Sequence, residues 1–173
     1  MSIRKKLFFP YIPQRDSSEC GTTCLSMIFK YYQAPNMQPL LRRLGKVNQS
    51  YTDMFTLYQL AQQFGFLPEG LKTDYKGLCE CHLPGIAHYD DNHFIVITKI
   101  TTKQIWIADP AYGKIKMKKG EFLKKWKGIF LTLIPTENLF QDKEVKNFIN
   151  HFITEKKKLQ KQHISLLTPF KKL

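Results

Sequence analysis

The chain has 173 residues, of which 43% are hydrophobic and 13% aromatic, and its 27 Lys+Arg against 14 Asp+Glu give a formal net charge of +13. That length suits one domain plus an appendage, and the apolar content excludes global disorder because there is enough core material to offset the entropy of ordering. No apolar run reaches the ~18 residues of a membrane-spanning helix, so nothing in the sequence is expected to cross a bilayer.

Met1 to Lys6 is basic, but the apolar stretch behind it is broken by Pro10 and Pro13. It reads as an extended lead-in and not as a signal peptide, which makes a cytosolic, reducing location the expectation. From Cys20 to Tyr32 the apolar residues fall near a 3.6-residue period, predicting a helix that ends before Pro35, with Ser17 and Ser18 as candidate caps. A second helix is predicted over Gln38–Leu44. A third spans Asp53–Phe64, with Asp53 as N-cap and Gly65 closing it. The period then changes. Gly85–His88 is a short apolar piece, and His93–Ile100 (HFIVITKI) is rich in β-branched residues and reads as a buried strand. Gln104–Ala108 is a partner strand across a Thr101-Thr102 hairpin, followed by the turn cluster Asp109–Gly113. Lys114–Met117 is a short strand, Lys119–Lys125 a short helix, and Ile129–Ile134 a final apolar strand. Helices first and antiparallel strands later define an α+β fold, N-terminal helices packed on an antiparallel sheet.

After Pro135 the core pattern stops. Residues 1–136 are therefore read as one domain, and 137–173 as a linker or interfacial helix approaching a membrane. The first part holds 19 basic and 10 acidic side chains and the second 8 and 4, with seven lysines between Lys114 and Lys127. Such charge suits an anionic partner: an acidic peptide, an anionic membrane surface or nucleic acid. Only four arginines are present and no zinc-finger spacing occurs, so nucleic acid ranks last.

The chemistry is carried by four residues. Cys20 opens the first predicted helix, where unpaired N–H groups and the positive end of the helix dipole favour a thiolate. Gln14, six residues upstream in the entering loop, can aim its amide at the same point and, with the Cys20 backbone N–H, form an oxyanion hole. His93 opens one strand of the hairpin and Asp109 closes the other, so antiparallel pairing brings base and orienter together. Taken singly, each residue has an ordinary structural explanation. Together, on these elements, they make a papain-type arrangement in the order Cys, His, Asp. His88 is the alternative base. Cys24, one turn beyond Cys20, is expected to pack in the core. Cys79-Glu80-Cys81-His82 offers three possible metal ligands, but the C-x-C spacing is tighter than usual zinc sites, and no metal or cofactor is expected.

Gln14, Glu19-Cys20-Gly21-Thr22-Thr23-Cys24, Leu83-Pro84-Gly85-Ile86, Asn92-His93-Phe94, Ala108-Asp109-Pro110 with Gly113, and Trp126-x-Gly128 through Pro135-Thr136 occur in this order. Over about residues 7–136 the chain resembles the C39 peptidase domain of bacteriocin-processing ABC transporters. The resemblance implies a papain-like cysteine peptidase that cuts the leader of a secreted peptide precursor after a double-glycine motif. Cys20 would be nucleophile, His93 base, Asp109 orienter and Gln14 part of the oxyanion hole. It also implies that transmembrane and nucleotide-binding domains of the same exporter follow, with the peptidase on the cytosolic side of the plasma membrane. Family members that lose the cysteine only bind the leader; this chain keeps it. The Cys79–Cys81 pair departs from the family pattern. A papain-like acyl transferase and a non-catalytic binding module are the alternative readings.

Overall fold

A computed structural model describes residues 8–45 and 52–167, with side chains up to residue 161. The basic Met1–Lys6 segment and the Thr168–Leu173 end of the tail lie outside the described residues.

A short 3-10 turn, Ser17–Glu19, runs directly into helix α1, Cys20–Tyr31. The expected Ser caps are displaced by this turn. Asp16 caps it instead, accepting from the Ser18 N–H at 2.9 Å, and Glu19 becomes the N-cap of α1 without a side-chain capping bond. Helix α1 is buried from Cys20 to Phe29, which is why its sequence shows small and apolar residues almost all round. Helix α2 is Gln38–Leu44, and α3 is Met54–Gln63, with the Asp53 carboxylate accepting from the Thr56 N–H at 2.7 Å as expected of its cap. Gly65 follows α3 at φ 86°, a left-handed position where a Cβ would meet the Asn138 carbonyl.

Strand β1, Phe66–Lys72, and helix α4, Tyr75–Glu80, were not predicted from the sequence. β1 contains Pro68 and Gly70 and lies at the sheet edge, where a missing N–H is tolerated. Next come β2, Gly85–Tyr89; β3, His93–Ile100; β4, Gln104–Asp109; and β5, Gly113–Lys118. Helix α5, Lys119–Leu123, leads into β6, Trp126–Pro135, and α6 spans Lys143–Leu167. The β3–β4 connection is three residues, Thr101–Lys103. It is closed by the Thr101 N–H to the Gln104 carbonyl at 2.8 Å and by the Gln104 N–H to Thr101 Oγ1 at 3.0 Å.

The six strands form one antiparallel sheet in the order β1-β6-β2-β3-β4-β5. Alternate residues feed two cores. Ile86, Phe94, Val96, Ala108 and Leu131 face α1 to α3, whereas Ile95, Ile97, Ile105, Ile107 and Phe130 face the other way, towards Tyr75, Phe122 and Trp126. Burial on both faces explains why β3 reads as a continuous apolar run instead of an alternating one. The start of α6 belongs to the first core: Val145 is fully buried, and Phe140, Phe148 and Ile149 pack against it. No described helix is long and apolar enough to cross a membrane.

Candidate active site

The first turn of α1 lies against the ends of β3 and β4 nearest the lead-in. Gly21 lets the chain come this close, since a Cβ there would stand 3.1 Å from Leu57 and 3.2 Å from Phe94. Cys20, on that turn, is 3% exposed. His93 heads β3 and Asp109 ends β4. The register Val96↔Ala108 places Asp109 two residues diagonally from His93, within reach of its ring. His93 Nε2 is 2.8 Å from Asp109 Oδ1, and the Asp109 carboxylate is 5% exposed. The same oxygen accepts the Ala111 N–H at 2.9 Å, which fixes the carboxylate within its own turn.

Burial by itself would push the His93 imidazole down. Hydrogen bonds to Asp109 and to Cys20, together with the charges of both, act the other way and more strongly, raising its pKa from 6.5 to about 9. With Nε2 committed to Asp109, Nδ1 is the nitrogen left for the thiol. Asp109 thereby keeps a positive charge on His93, on the strand that packs against α1.

Gln14 enters from the lead-in. Its backbone N–H donates to the Pro110 carbonyl at 2.9 Å, and the Tyr11 hydroxyl donates to that carbonyl at 3.2 Å. The Gln14 side chain reaches a cavity of about 600 Å³ that His93 and Asp109 also line. Its buried Oε1 has no hydrogen-bond partner among the described residues. The structure thus brings Gln14, His93 and Asp109 to one cavity, and Cys20 opens the helix that packs on the strand headed by His93. Asp90 and Asp91, in the β2–β3 turn, also line the cavity and escaped the sequence reading. Their place just ahead of His93 is the signal that points to them. Asp90 pairs with Lys125 at 2.8 Å.

The competing residues lie elsewhere. His88 rests against the Phe94 ring, with centroids 5.3 Å apart. Cys24 is fully buried. Burial, and then the proximity of Cys20 and Asp109, push its thiol pKa well up, and its Sγ–H donates to the Phe94 carbonyl at 3.3 Å. Cys79 and Cys81 are half-buried beside the second core, both with thiol pKa values raised by desolvation first, and Cys81 donates to the Gly77 carbonyl at 3.3 Å. The His82 ring lies 3.4 Å from the Tyr32 hydroxyl. Among the described residues no three His, Cys, Asp or Glu side chains converge to hold a metal.

Comparison with known proteins gives the family. The Peptidase C39 family profile matches residues 8–138. The lactococcin-G-processing and transport ATP-binding protein LagD of Lactococcus lactis subsp. lactis is 34% identical over 126 residues, covering 69% of this chain and 18% of the relative. The lacticin-481/lactococcin-DR transport/processing ATP-binding protein lcnDR3 of Lactococcus lactis subsp. lactis is 40% identical over 146 residues, covering 79% of this chain and 20% of the relative. The chain thus spans about a fifth of the length of these relatives. Among solved structures, a double glycine motif protease from an AMS/PCAT transporter, crystallised with the leader peptide, superposes with a TM-score of 0.70 at 28% identity, covering 77% of this chain and 96% of that one. A profile match over most of the sequence, with helices α1 to α3 against one antiparallel sheet, places the chain in the Peptidase C39 family, with that family's papain-like fold.

Proposed function

We propose that the chain is a cysteine endopeptidase that removes the leader of a secreted peptide precursor after a double-glycine motif, in a protein that also exports the product. The observation that carries this reading is the buried His93–Asp109 pair at 2.8 Å on the sheet that α1, opened by Cys20, packs against, with Gln14 lining the same cavity. In this mechanism the Cys20 thiolate attacks the carbonyl of the second glycine, while Gln14 and the Cys20 backbone N–H take the oxyanion. His93 then gives its proton to the leaving amine. Water, deprotonated by His93, hydrolyses the thioester and regenerates the imidazolium–thiolate pair.

Residues 1–136 are the peptidase unit in this reading. Residues 137–173 lead towards transmembrane and nucleotide-binding domains on the cytosolic side of the membrane, with the basic tail near anionic lipid. The names of the relatives, which join processing to transport, support that placement.

Incubation with a synthetic peptide carrying a Gly-Gly leader, read by mass spectrometry, tests the function. Cleavage after the second glycine is expected, and Cys20→Ala is expected to reduce it by ~10³-fold or more. Turnover that survives Cys20→Ala would remove the catalytic reading. Amide formation with an added amine in place of hydrolysis would point to an acyl transferase.

A further inference from the structure

Glu19 stands directly before Cys20 and is 4% exposed, an unusual place for a carboxylate. Both of its oxygens are used. Oε1 is 2.6 Å from Arg42 Nε on α2, an ion pair in which the Nε–H is not aligned for a hydrogen bond, and Oε2 accepts the Arg15 backbone N–H at 3.4 Å. The adjacent amide, that of Gln14, is anchored on the opposite side, to the carbonyl of Pro110 at 2.9 Å. Two consecutive amides of the lead-in are therefore tied in two directions: one to the strand end that bears Asp109, the other to the residue that precedes Cys20. Gln14 is suspended between them. A second polar contact, Gln38 Nε2 to Thr23 Oγ1 at 3.2 Å, bolts α2 to the first turn of α1, so Arg42 is presented by a fixed element.

The charge matters as much as the tether. A bare carboxylate at the N-terminal end of α1 would favour its own ionisation at the expense of a neighbouring thiolate. Arg42 cancels that charge. The guanidinium side chain is 23% exposed and the carboxylate 6%, so the pair is only weakly screened by solvent.

We propose that the Glu19–Arg42 pair is the positioning device of the site: Glu19 holds the Arg15 amide, and through it Gln14, in register with Cys20, while Arg42 keeps the carboxylate from repelling the Cys20 thiolate. Neither residue lines the cavity beside His93. The assignment rests on the peptidase reading for its kinetic consequences, but its electrostatic half concerns Cys20 alone.

The experiment has two arms, both on the full chain, with circular dichroism to verify folding of each variant. In the first, Glu19→Ala is made alone and on a Gln14→Ala background, and a Gly-Gly leader peptide is the substrate. Because Glu19 acts through Gln14, the single variant is expected to lose about 10-fold in kcat with KM within about 2-fold, and to lose almost nothing further once Gln14 is gone. Equal losses in both backgrounds overturn the positioning role.

The second arm measures alkylation of Cys20 by iodoacetamide against pH and needs no protease activity. The groups around Cys20 that titrate or carry charge are His93 and Asp109 from the sheet, Cys24 on its own helix, and Glu19 with Arg42. Arg42→Met is expected to shift the alkylation midpoint upward, and adding Glu19→Gln to restore it. A midpoint unchanged by Arg42→Met, or unrestored in the double variant, overturns the charge-cancelling role. Inert peptide with a normal alkylation response would defeat the peptidase reading and leave this pair's electrostatic role standing. If Glu19→Ala fails to fold, Glu19→Leu, which fills the space but removes the acceptor for the Arg15 amide, takes its place with the same expected loss and the same overturning result.

Discussion

The carboxylate of Asp109 holds one ring nitrogen of His93 at 2.8 Å, and this bond with the charges around the ring is why the imidazolium outlasts burial. The raised value of about 9 dictates a pH response. Below it His93 is protonated and, in the proposed mechanism, can give its proton to the leaving amine; above it that proton is lost. The alkaline limb of kcat/KM is therefore expected near 9. Asp109→Asn removes both the hydrogen bond to a charged acceptor and the favourable charge, so the limb moves to lower pH and kcat falls by ~10²-fold. A limb unmoved in a pH–rate series of the variant would sever His93 from Asp109. Stability follows the same sign. The folded pKa lies above the unfolded value of ~6.5, so this group's contribution is complete below about 6.5 and disappears as pH rises through about 9. At this scale the sequence was informative about type and order: Gln14, Cys20, His93 and Asp109 each sit where the pattern of elements placed them. The Glu19–Arg42 pair was not readable. A Glu before a Cys and an Arg in a later helix have no periodic relation, and only the packing of α2 on α1 joins them.

Among the elements, β2 and β6 are held by a close approach. A Cβ on Gly85 would lie 2.3 Å from the Phe130 ring and 2.8 Å from the Leu131 carbonyl oxygen, and that oxygen belongs to the backbone of the paired strand. Gly85→Ala is therefore expected to destabilise by about 1–3 kcal/mol, read as a lower urea midpoint at unchanged m. An unchanged midpoint would mean that β6 moves aside freely. Strands β3 and β4 were legible because branched residues cluster in them. β1 was not: with Pro68, Glu69 and Gly70 in its centre it has no strand composition, and it exists because β6 offers it an edge. Helix α4 is six residues long, too short to show a period, and its Asp74 cap, accepting from the Gly77 N–H at 2.8 Å, was its only sequence signal. The helical tendency after residue 140 was visible. Burial of Val145 in the main core was not, since an amphipathic stripe does not say which surface it covers.

For the molecule as a whole, the +13 charge has a location in addition to a sign. Strand β5 alternates, with Lys114, Lys116 and Lys118 exposed and Ile115 and Met117 turned inward, and this protects an edge strand from pairing with another chain. Lys99 and Lys116 both stand over the Trp106 ring, at 4.9 and 5.1 Å. If these lysines draw an acidic leader to the cleft, raising salt from about 50 to about 500 mM is expected to increase KM several-fold with kcat unchanged. A KM insensitive to salt would make the lysines a solvated edge and nothing more. The α+β class, the three N-terminal helices, the central hairpin and the places of Gln14, Cys20, His93 and Asp109 on those elements could all be read from the chain. They were legible because periodicity, caps and a cysteine at a helix start are local signals. The tertiary structure alone decided what joins them: the edge strand β1, the docking of α6, the cavity beside His93 and the buried ion pair behind Cys20. These depend on contacts between segments tens of residues apart, whose energies come from burial and charge pairing that no local pattern records.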